Sequence, residues 1–145
     1  MIEFGGNGAL DKEMLSEITD LIFIGDSSDV QYEEELLSRG VSVVFNVASE
    51  VDGYYKKLRY YKYPFTECLT DRKKLNELLE NIRYELKRNR RVVVHCYAGI
   101  DRAPAIVTCY LILSGMEKAK AWQLVKKNRP MACYHGSWIN QLISQ

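Results

Sequence analysis

The sequence predicts an α/β domain with a central, mainly parallel sheet flanked by helices on both faces. Three observations lead there. Short apolar, β-branched runs alternate with amphipathic stretches along most of the chain, and strand alternating with helix favours parallel crossovers. The runs are apolar throughout, as strands covered on both faces are. The 145 residues, 47% hydrophobic and 27% charged, suit one soluble globular domain that can bury about two-thirds of its unfolded surface.

Gly5, Gly6 and Gly8 mark residues 1–9 as a loose start, and no Pro/Ser-rich linker or repeat follows, so residues 1–145 are expected to form a single domain. Residues 21–25 (LIFIG) and 41–47 (VSVVFNV) read as buried strands. Between them residues 29–39 read as a helix with Leu36 and Leu37 inward and Gly40 as its stop, making a βαβ unit. Residues 58–65 form a third strand, in which tyrosines alternate with basic residues. Leu75, Leu78, Leu79, Ile82 and Leu86 then line one face of a helix capped by Thr70. Residues 91–94 are another buried strand, residues 95–102 a loop, and Pro104 lies in the first turn of an apolar helix ending at Gly115. Amphipathic helices over residues 117–128 and from 136 to the end complete the chain.

Charge and cysteine usage narrow the function classes. Twenty Lys and Arg against nineteen Asp and Glu leave a net charge of +1, a balance neither disordered nor fibrous. No apolar run approaches the roughly 18 residues that span a bilayer, and residues 1–12 lack a basic segment followed by an apolar one. Secretion and membrane insertion are therefore not expected. Cys68, Cys96, Cys109 and Cys133 form no CxxC pair and have no histidine at zinc-ligand spacing. No metal and no cofactor is expected, and the compartment reads as reducing and cytoplasmic.

The chemistry lies in residues 92–104, VVVHCYAGIDRAP. A buried strand ends at Cys96, five residues make a tight loop, and Arg102 opens a helix. Backbone N–H groups of such a loop converge on one point, and the helix dipole adds to their attraction for an anion. The same field favours the thiolate of a cysteine at its centre. Arg102 offers a planar fork that holds two phosphate oxygens at once. Together these are equipment for phosphoryl transfer to cysteine. An isolated cysteine at a strand end is usually a small hydrophobe; here His95, Gly99, Arg102 and the strand–loop–helix order argue jointly for the nucleophile.

With these residues in view, the chain resembles the cysteine-dependent dual-specificity phosphatases of the protein tyrosine phosphatase superfamily. The resemblance extends over nearly the whole chain: residues 18–25, 37–48, the loop 95–102, 104–111, 115–116 and 128–130. It implies that Cys96 is the nucleophile, that the amides of Tyr97, Ala98, Gly99, Ile100, Asp101 and Arg102 with the Arg102 side chain bind the phosphate, and that His95 braces the loop. It also implies an acid in the loop after the third strand. Aligning that strand end places Glu67 there, with Asp71 second. The compact form, without the extra loop that deepens a phosphotyrosine pocket, implies a phosphorylated protein substrate, with phosphotyrosine hydrolysed faster than phosphoserine or phosphothreonine. Phosphoinositides and RNA 5′ ends are alternative substrates, and a phosphate-binding pseudophosphatase is an alternative class.

Two residues depart from the pattern. Ala103 stands where the family usually has Ser or Thr, whose hydroxyl helps the cysteine leave phosphocysteine. Asp101 is a carboxylate inside a loop built for a dianion; pointing inward and ionised it repels substrate, so it is expected to turn away and pair with a basic neighbour. A loop acid, as in myotubularin-type phosphatases, is the rival role. Three further features carry milder expectations. The Tyr- and Lys-rich residues 54–63 could stack bases but read better as a strand that buries its rings. His135 reads as a solvated loop residue, or as a support for the catalytic loop, and Cys68 as a plain loop thiol, or as a disulfide partner for Cys96 on oxidation.

Overall fold

The computed structural model describes residues 15–66 and 71–143. Its sheet has five strands in the order β1-β2-β5-β3-β4: β1 is Ser16–Glu17, β2 Ile22–Gly25, β3 Val41–Ala48, β4 Arg59–Phe65 and β5 Arg91–His95. β2, β5, β3 and β4 run parallel, while β1 pairs antiparallel with β2. The central strands are buried almost end to end, which is why they read as continuous apolar runs. β5 lies between β2 and β3, pairing Val93 with both Phe23 and Val44. The expected βαβ unit is thus a crossover with a later strand inserted. Cys96 consequently emerges from the middle of the sheet.

Side chains alternate across that sheet. Val92 and Val94 face the larger core, closed by α2 (Arg72–Lys87), α3 (Arg102–Leu113), α4 (Lys118–Asn128) and α5 (Gly136–Ile143). Val93 faces a smaller core closed by α1 (Glu33–Ser38) through Leu36. Helices therefore cover both faces, unequally. On α2, Leu75, Leu78, Leu79 and Ile82 are buried, each contributing about 2 kcal/mol of transfer free energy. Among the described residues no helix is long and apolar enough to cross a membrane.

Two local expectations need correction, the start of α1 and the cap of α2. The helix expected from residue 29 begins at Glu33, because the Asp26 carboxylate accepts from the Ser28 and Asp29 amides and holds that stretch in a turn. Its inward face is as expected: Leu36 is fully buried, and Leu37, half-buried, packs against the same core. Thr70 lies outside the described residues; the cap of α2 is Asp71, which accepts from the Lys74 amide at 3.0 Å. Strand β1 was not foreseen, since two residues are too few to show a period. Residues 1–9 also lie outside the described residues.

The Tyr-rich stretch is a strand only from Arg59 onward; residues 54–58 are irregular, and Tyr54 is exposed. Tyr61 stacks on Phe45 with centroids 4.6 Å apart and donates its hydroxyl to Glu85 at 2.5 Å. The Tyr60 hydroxyl accepts from Asn46 at 3.0 Å, and that of Tyr55 donates to the Val30 carbonyl at 2.6 Å. Arg59 and Arg90 pair with the buried Glu85. Burial pushes the Glu85 carboxyl up, but hydrogen bonds from Tyr61, Arg59 and Arg90 outweigh it and hold the group ionised below its ordinary range. The rings of Tyr55, Tyr60 and Tyr61 and the cation of Arg59 are thus engaged in internal contacts, while Tyr54, Lys56 and Lys57 are exposed.

Candidate active site

The site gathers at the carboxyl ends of three parallel strands, where open α/β sheets place their ligands. β5 delivers Cys96, the extension of β3 delivers Glu50, and the end of β4 delivers Phe65 and Thr66. Cys96 is buried, and the Ala103 amide, in the first turn of α3, donates to its sulfur at 3.4 Å. The positive end of the α3 dipole is thereby directed at the sulfur.

The loop after Cys96 is held by its carbonyls. The Tyr97 carbonyl accepts from the Ser27 amide at 2.9 Å, that of Gly99 from Arg129 Nε at 2.7 Å and that of Ile100 from the Cys133 amide at 2.9 Å. Fastened outward in this way, they leave the loop N–H groups free: among the described residues none accepts from the amides of Tyr97, Ala98, Gly99, Ile100 or Asp101. Successive amides with no acceptor among the described residues, in a loop between Cys96 and a helix N-terminus, are the makings of an anion nest. Gly99 makes the curvature possible, with φ +68, and any Cβ there would lie 2.7 Å from the Gly25 carbonyl.

His95 is buried, and its Nδ1 lies 3.3 Å from the Cys96 carbonyl. A carbonyl only accepts, so Nδ1 carries the proton and donates. Burial pushes the imidazole down to about 4, so it is neutral at physiological pH and braces the loop by hydrogen bonding rather than charge. Behind the loop, the guanidinium of Arg129 is fully buried and also donates to Ser16 Oγ at 2.9 Å. Burial pushes Asp29 up to about 7, opposed in part by the Asp26 amide and by Arg129. That amide donates to Asp29 at 2.7 Å and shapes the turn carrying Ser27.

Around the loop mouth is a cleft of about 730 Å³ lined by Ser49, Glu50, Thr66, Asp101, Arg102, His135 and Trp138. Asp101 turns to His135, whose Nε2 is 2.5 Å from Oδ1, and Trp138 stacks on that imidazole at 4.0 Å. The basic partner expected for Asp101 is therefore His135, which is a support of the loop and not merely solvated. Arg102 donates to both Glu50 oxygens, at 2.9 and 2.6 Å, and to the Phe65 carbonyl at 2.7 Å. Asp71 is occupied as the cap of α2. Glu67 and Cys68 lie outside the described residues; Thr66, the neighbour of Glu67, lines the cleft. Among the described residues no group of three or more His, Cys, Asp or Glu side chains is placed to hold a metal ion.

A thiol in a nest of amides at a helix N-terminus, with an arginine opening that helix, is the arrangement the resemblance implies. The family model "Dual specificity phosphatase, catalytic domain" matches residues 22–145. The chain belongs to that family. Among its relatives, mouse (Mus musculus) protein phosphatase Slingshot homolog 1 is 28% identical over 142 residues, 93% of this chain but 13% of that protein. Dual specificity protein phosphatase 18 of Rattus norvegicus is 27% identical over 135 residues, 89% of this chain and 65% of that one. The chain thus spans a small part of the Slingshot relatives and about two-thirds of the rat phosphatase. The crystal structure of human DUSP28 superposes with a TM-score of 0.79 at 25% identity, covering 88% of this chain and 89% of the other. Human tyrosine phosphatase-like serine/threonine/tyrosine-interacting protein shares the fold, with a TM-score of 0.78 at 21% identity over 90% and 93% of the two chains. The family is one of cysteine-based phosphatases, the chemistry expected from the loop.

Sequence reasoning missed three members of this site. Arg129 lies in a stretch that resembles the family, but only burial shows it fastening Gly99. Trp138 reads as part of an amphipathic helix. Glu50 had one available signal: a charged residue directly after a buried parallel strand, at the sheet edge where ligands bind.

Proposed function

We propose that this chain is a cysteine-dependent phosphatase of phosphorylated proteins, acting on phosphotyrosine and more slowly on phosphoserine and phosphothreonine. The observation that carries the reading is the loop from Cys96 to Arg102, whose amides at residues 97–101 have no acceptor among the described residues, with the Ala103 amide on the Cys96 sulfur. In the first step the thiolate attacks phosphorus; the P–O bond to the substrate breaks, and a carboxylic acid protonates the leaving oxygen. In the second step water attacks phosphorus and gives its proton to that carboxylate, the P–S bond breaks, and thiolate and phosphate result. Free thiols at Cys96, Cys109 and Cys133 suit a reducing, cytoplasmic setting. The test is phosphate release from phosphopeptides, phosphoinositides and 5′-phosphorylated RNA side by side. Activity on a lipid or an RNA about 100-fold above that on every phosphopeptide, ~2.7 kcal/mol of transition-state preference, overturns the protein substrate.

The acid is assigned to Glu67. Its support is that Thr66 lines the cleft and that the Phe65 carbonyl is fixed by Arg102, whereas Asp71 caps a helix and Asp101 is held by His135. Glu67→Gln is expected to slow hydrolysis of alkyl phosphates by roughly 10²–10⁴ while sparing esters with good aryl leaving groups, and to flatten the basic limb of the pH–rate profile. If Asp71→Asn or Asp101→Asn behaves this way and Glu67→Gln does not, the acid is the residue that responds.

The Ala103 amide touches the Cys96 sulfur, so a hydroxyl on the 103 side chain would start close to the leaving thiolate. Its lack should slow the second step more than the first. A burst of leaving group, a trappable phosphoenzyme and faster steady-state turnover in Ala103→Ser are expected. No burst and an unchanged Ala103→Ser rate would refute the hydroxyl argument, and binding of phosphate esters without any turnover would favour the pseudophosphatase.

A further inference from the structure

Asp101 is the one acidic residue between Cys96 and Arg102, and it stands where its charge does most harm to an anion. It is the N-cap residue of α3, yet its side chain caps no amide. An aspartate there ordinarily turns its carboxylate onto the first-turn N–H groups. In α3 those are few: Pro104 has none, and the Ala103 amide is directed at the Cys96 sulfur. A capping carboxylate would therefore occupy the ground that the loop offers to a phosphate. Its field already reaches Arg102: the Glu50 hydrogen bonds, against burial, hold that guanidinium above its ordinary range, and the charge of Asp101 adds to them.

His135 draws the carboxylate elsewhere. Its Nε2 lies 2.5 Å from Asp101 Oδ1, and because an ionised carboxylate only accepts, Nε2 carries the proton. The imidazole is itself fixed, stacked on Trp138 at 4.0 Å with the planes 16° apart. The Ile139 amide donates to the His135 carbonyl at 3.1 Å, and the Ile139 side chain is buried in the larger core. The same segment holds the loop one residue earlier, through the Cys133 amide on the Ile100 carbonyl. The other carboxylate of the cleft, Glu50, is paired with Arg102, so Asp101 is the acidic side chain there whose direction depends on His135.

We propose that His135 is a positioning residue for phosphate: by drawing the Asp101 carboxylate out to the cleft wall, it keeps that charge off the α3 N-terminus and the loop amides, where it would compete with the bound anion. This deepens the phosphatase reading and rests on the loop being a phosphate site.

The experiment titrates inorganic phosphate by calorimetry into the wild-type protein, His135→Phe, His135→Ala, Asp101→Asn and the double variant His135→Phe/Asp101→Asn, with melting temperatures recorded alongside. Phenylalanine keeps a ring against Trp138 but has no donor, and His135→Ala repeats the loss of the donor without the ring. Both are expected to bind phosphate roughly tenfold more weakly, because a carboxylate released beside a dianion in a partly buried cleft is incompletely screened. Asp101→Asn should bind at least as tightly as the wild type, and adding His135→Phe to it should cost nothing further. With a generic aryl phosphate the loss in His135→Phe should fall on KM, with kcat within about twofold, since the released carboxylate repels bound substrate and transition state alike. Unchanged phosphate binding in His135→Phe and His135→Ala overturns the proposal. So does an equal loss with and without the Asp101 carboxylate, which would make His135 a packing residue, and so does an effect confined to kcat. Phosphate binding to none of the proteins, Asp101→Asn included, would remove the phosphatase reading itself, and this inference with it.

Discussion

Cys96→Ser is expected to abolish turnover of a generic aryl phosphate, by at least about 10⁴-fold, while leaving phosphate binding close to that of the wild-type protein. The two halves have separate causes. Turnover in the proposed mechanism depends on a sulfur that attacks phosphorus and is expelled again in the second step; a serine hydroxyl is a weaker nucleophile and a far poorer leaving group. Binding depends on amides fixed by the Ser27, Arg129 and Cys133 contacts to the loop carbonyls, and none of these involves the sulfur. Cys96 is buried, and serine is slightly smaller, so the loop is not forced apart. Calorimetry with inorganic phosphate and a phosphate-release assay read the two halves independently. EDTA should leave the wild-type rate unchanged. Full activity in Cys96→Ser, or loss of activity with EDTA, would exclude the cysteine mechanism; loss of phosphate binding in Cys96→Ser would move the anion site away from the loop amides.

What the sequence discloses about this site follows the range of the forces involved. Cys96, the loop and the helix behind it are contiguous between residues 91 and 113, so strand period, glycine and helix start are all visible in one stretch. β3 and β5 are legible for a related reason, since burial on both faces demands continuous apolar residues. The contacts that complete the site join residues far apart. Arg129 fastens Gly99 across 30 positions, Glu50 meets Arg102 across 52, and His135 meets Asp101 across 34. No local period encodes such pairs. Thr70 and Asp71 illustrate a finer limit, since both residue types cap helices and only the hydrogen bond to Lys74 decides between adjacent candidates. The start of α1 failed similarly, because the Asp26 side chain offers the backbone a turn that competes with helix.

Arg102→Lys should cost several orders of magnitude in kcat/KM with little change in fold stability, and the structure says why a retained positive charge does not rescue it. The guanidinium makes three contacts at once: two with the Glu50 carboxylate and one with the Phe65 carbonyl, which itself accepts from the Ser49 amide. That last contact aims the fork across the cleft from the end of β4. A phosphate in the loop would meet the Nε–H and the outer Nη2–H of the same guanidinium, two parallel donors whose plane Glu50 and Phe65 already fix, and it would keep them as charge spreads over the equatorial oxygens in the transition state. An ammonium is a compact charge without a plane, on a stem that cannot reach Phe65 and a phosphate together. It attracts the ground-state dianion but does not follow the transition state, so the loss should fall mainly on kcat, by on the order of 10²–10⁴, with a smaller rise in KM. Because Glu50→Gln only loosens the aim of the fork whereas Arg102→Lys removes the fork itself, the double variant should be as slow as Arg102→Lys alone. Recovery of activity in the double variant, or a purely KM effect in Arg102→Lys, would mean that Arg102 only gathers substrate and that the transition state is held by the loop amides.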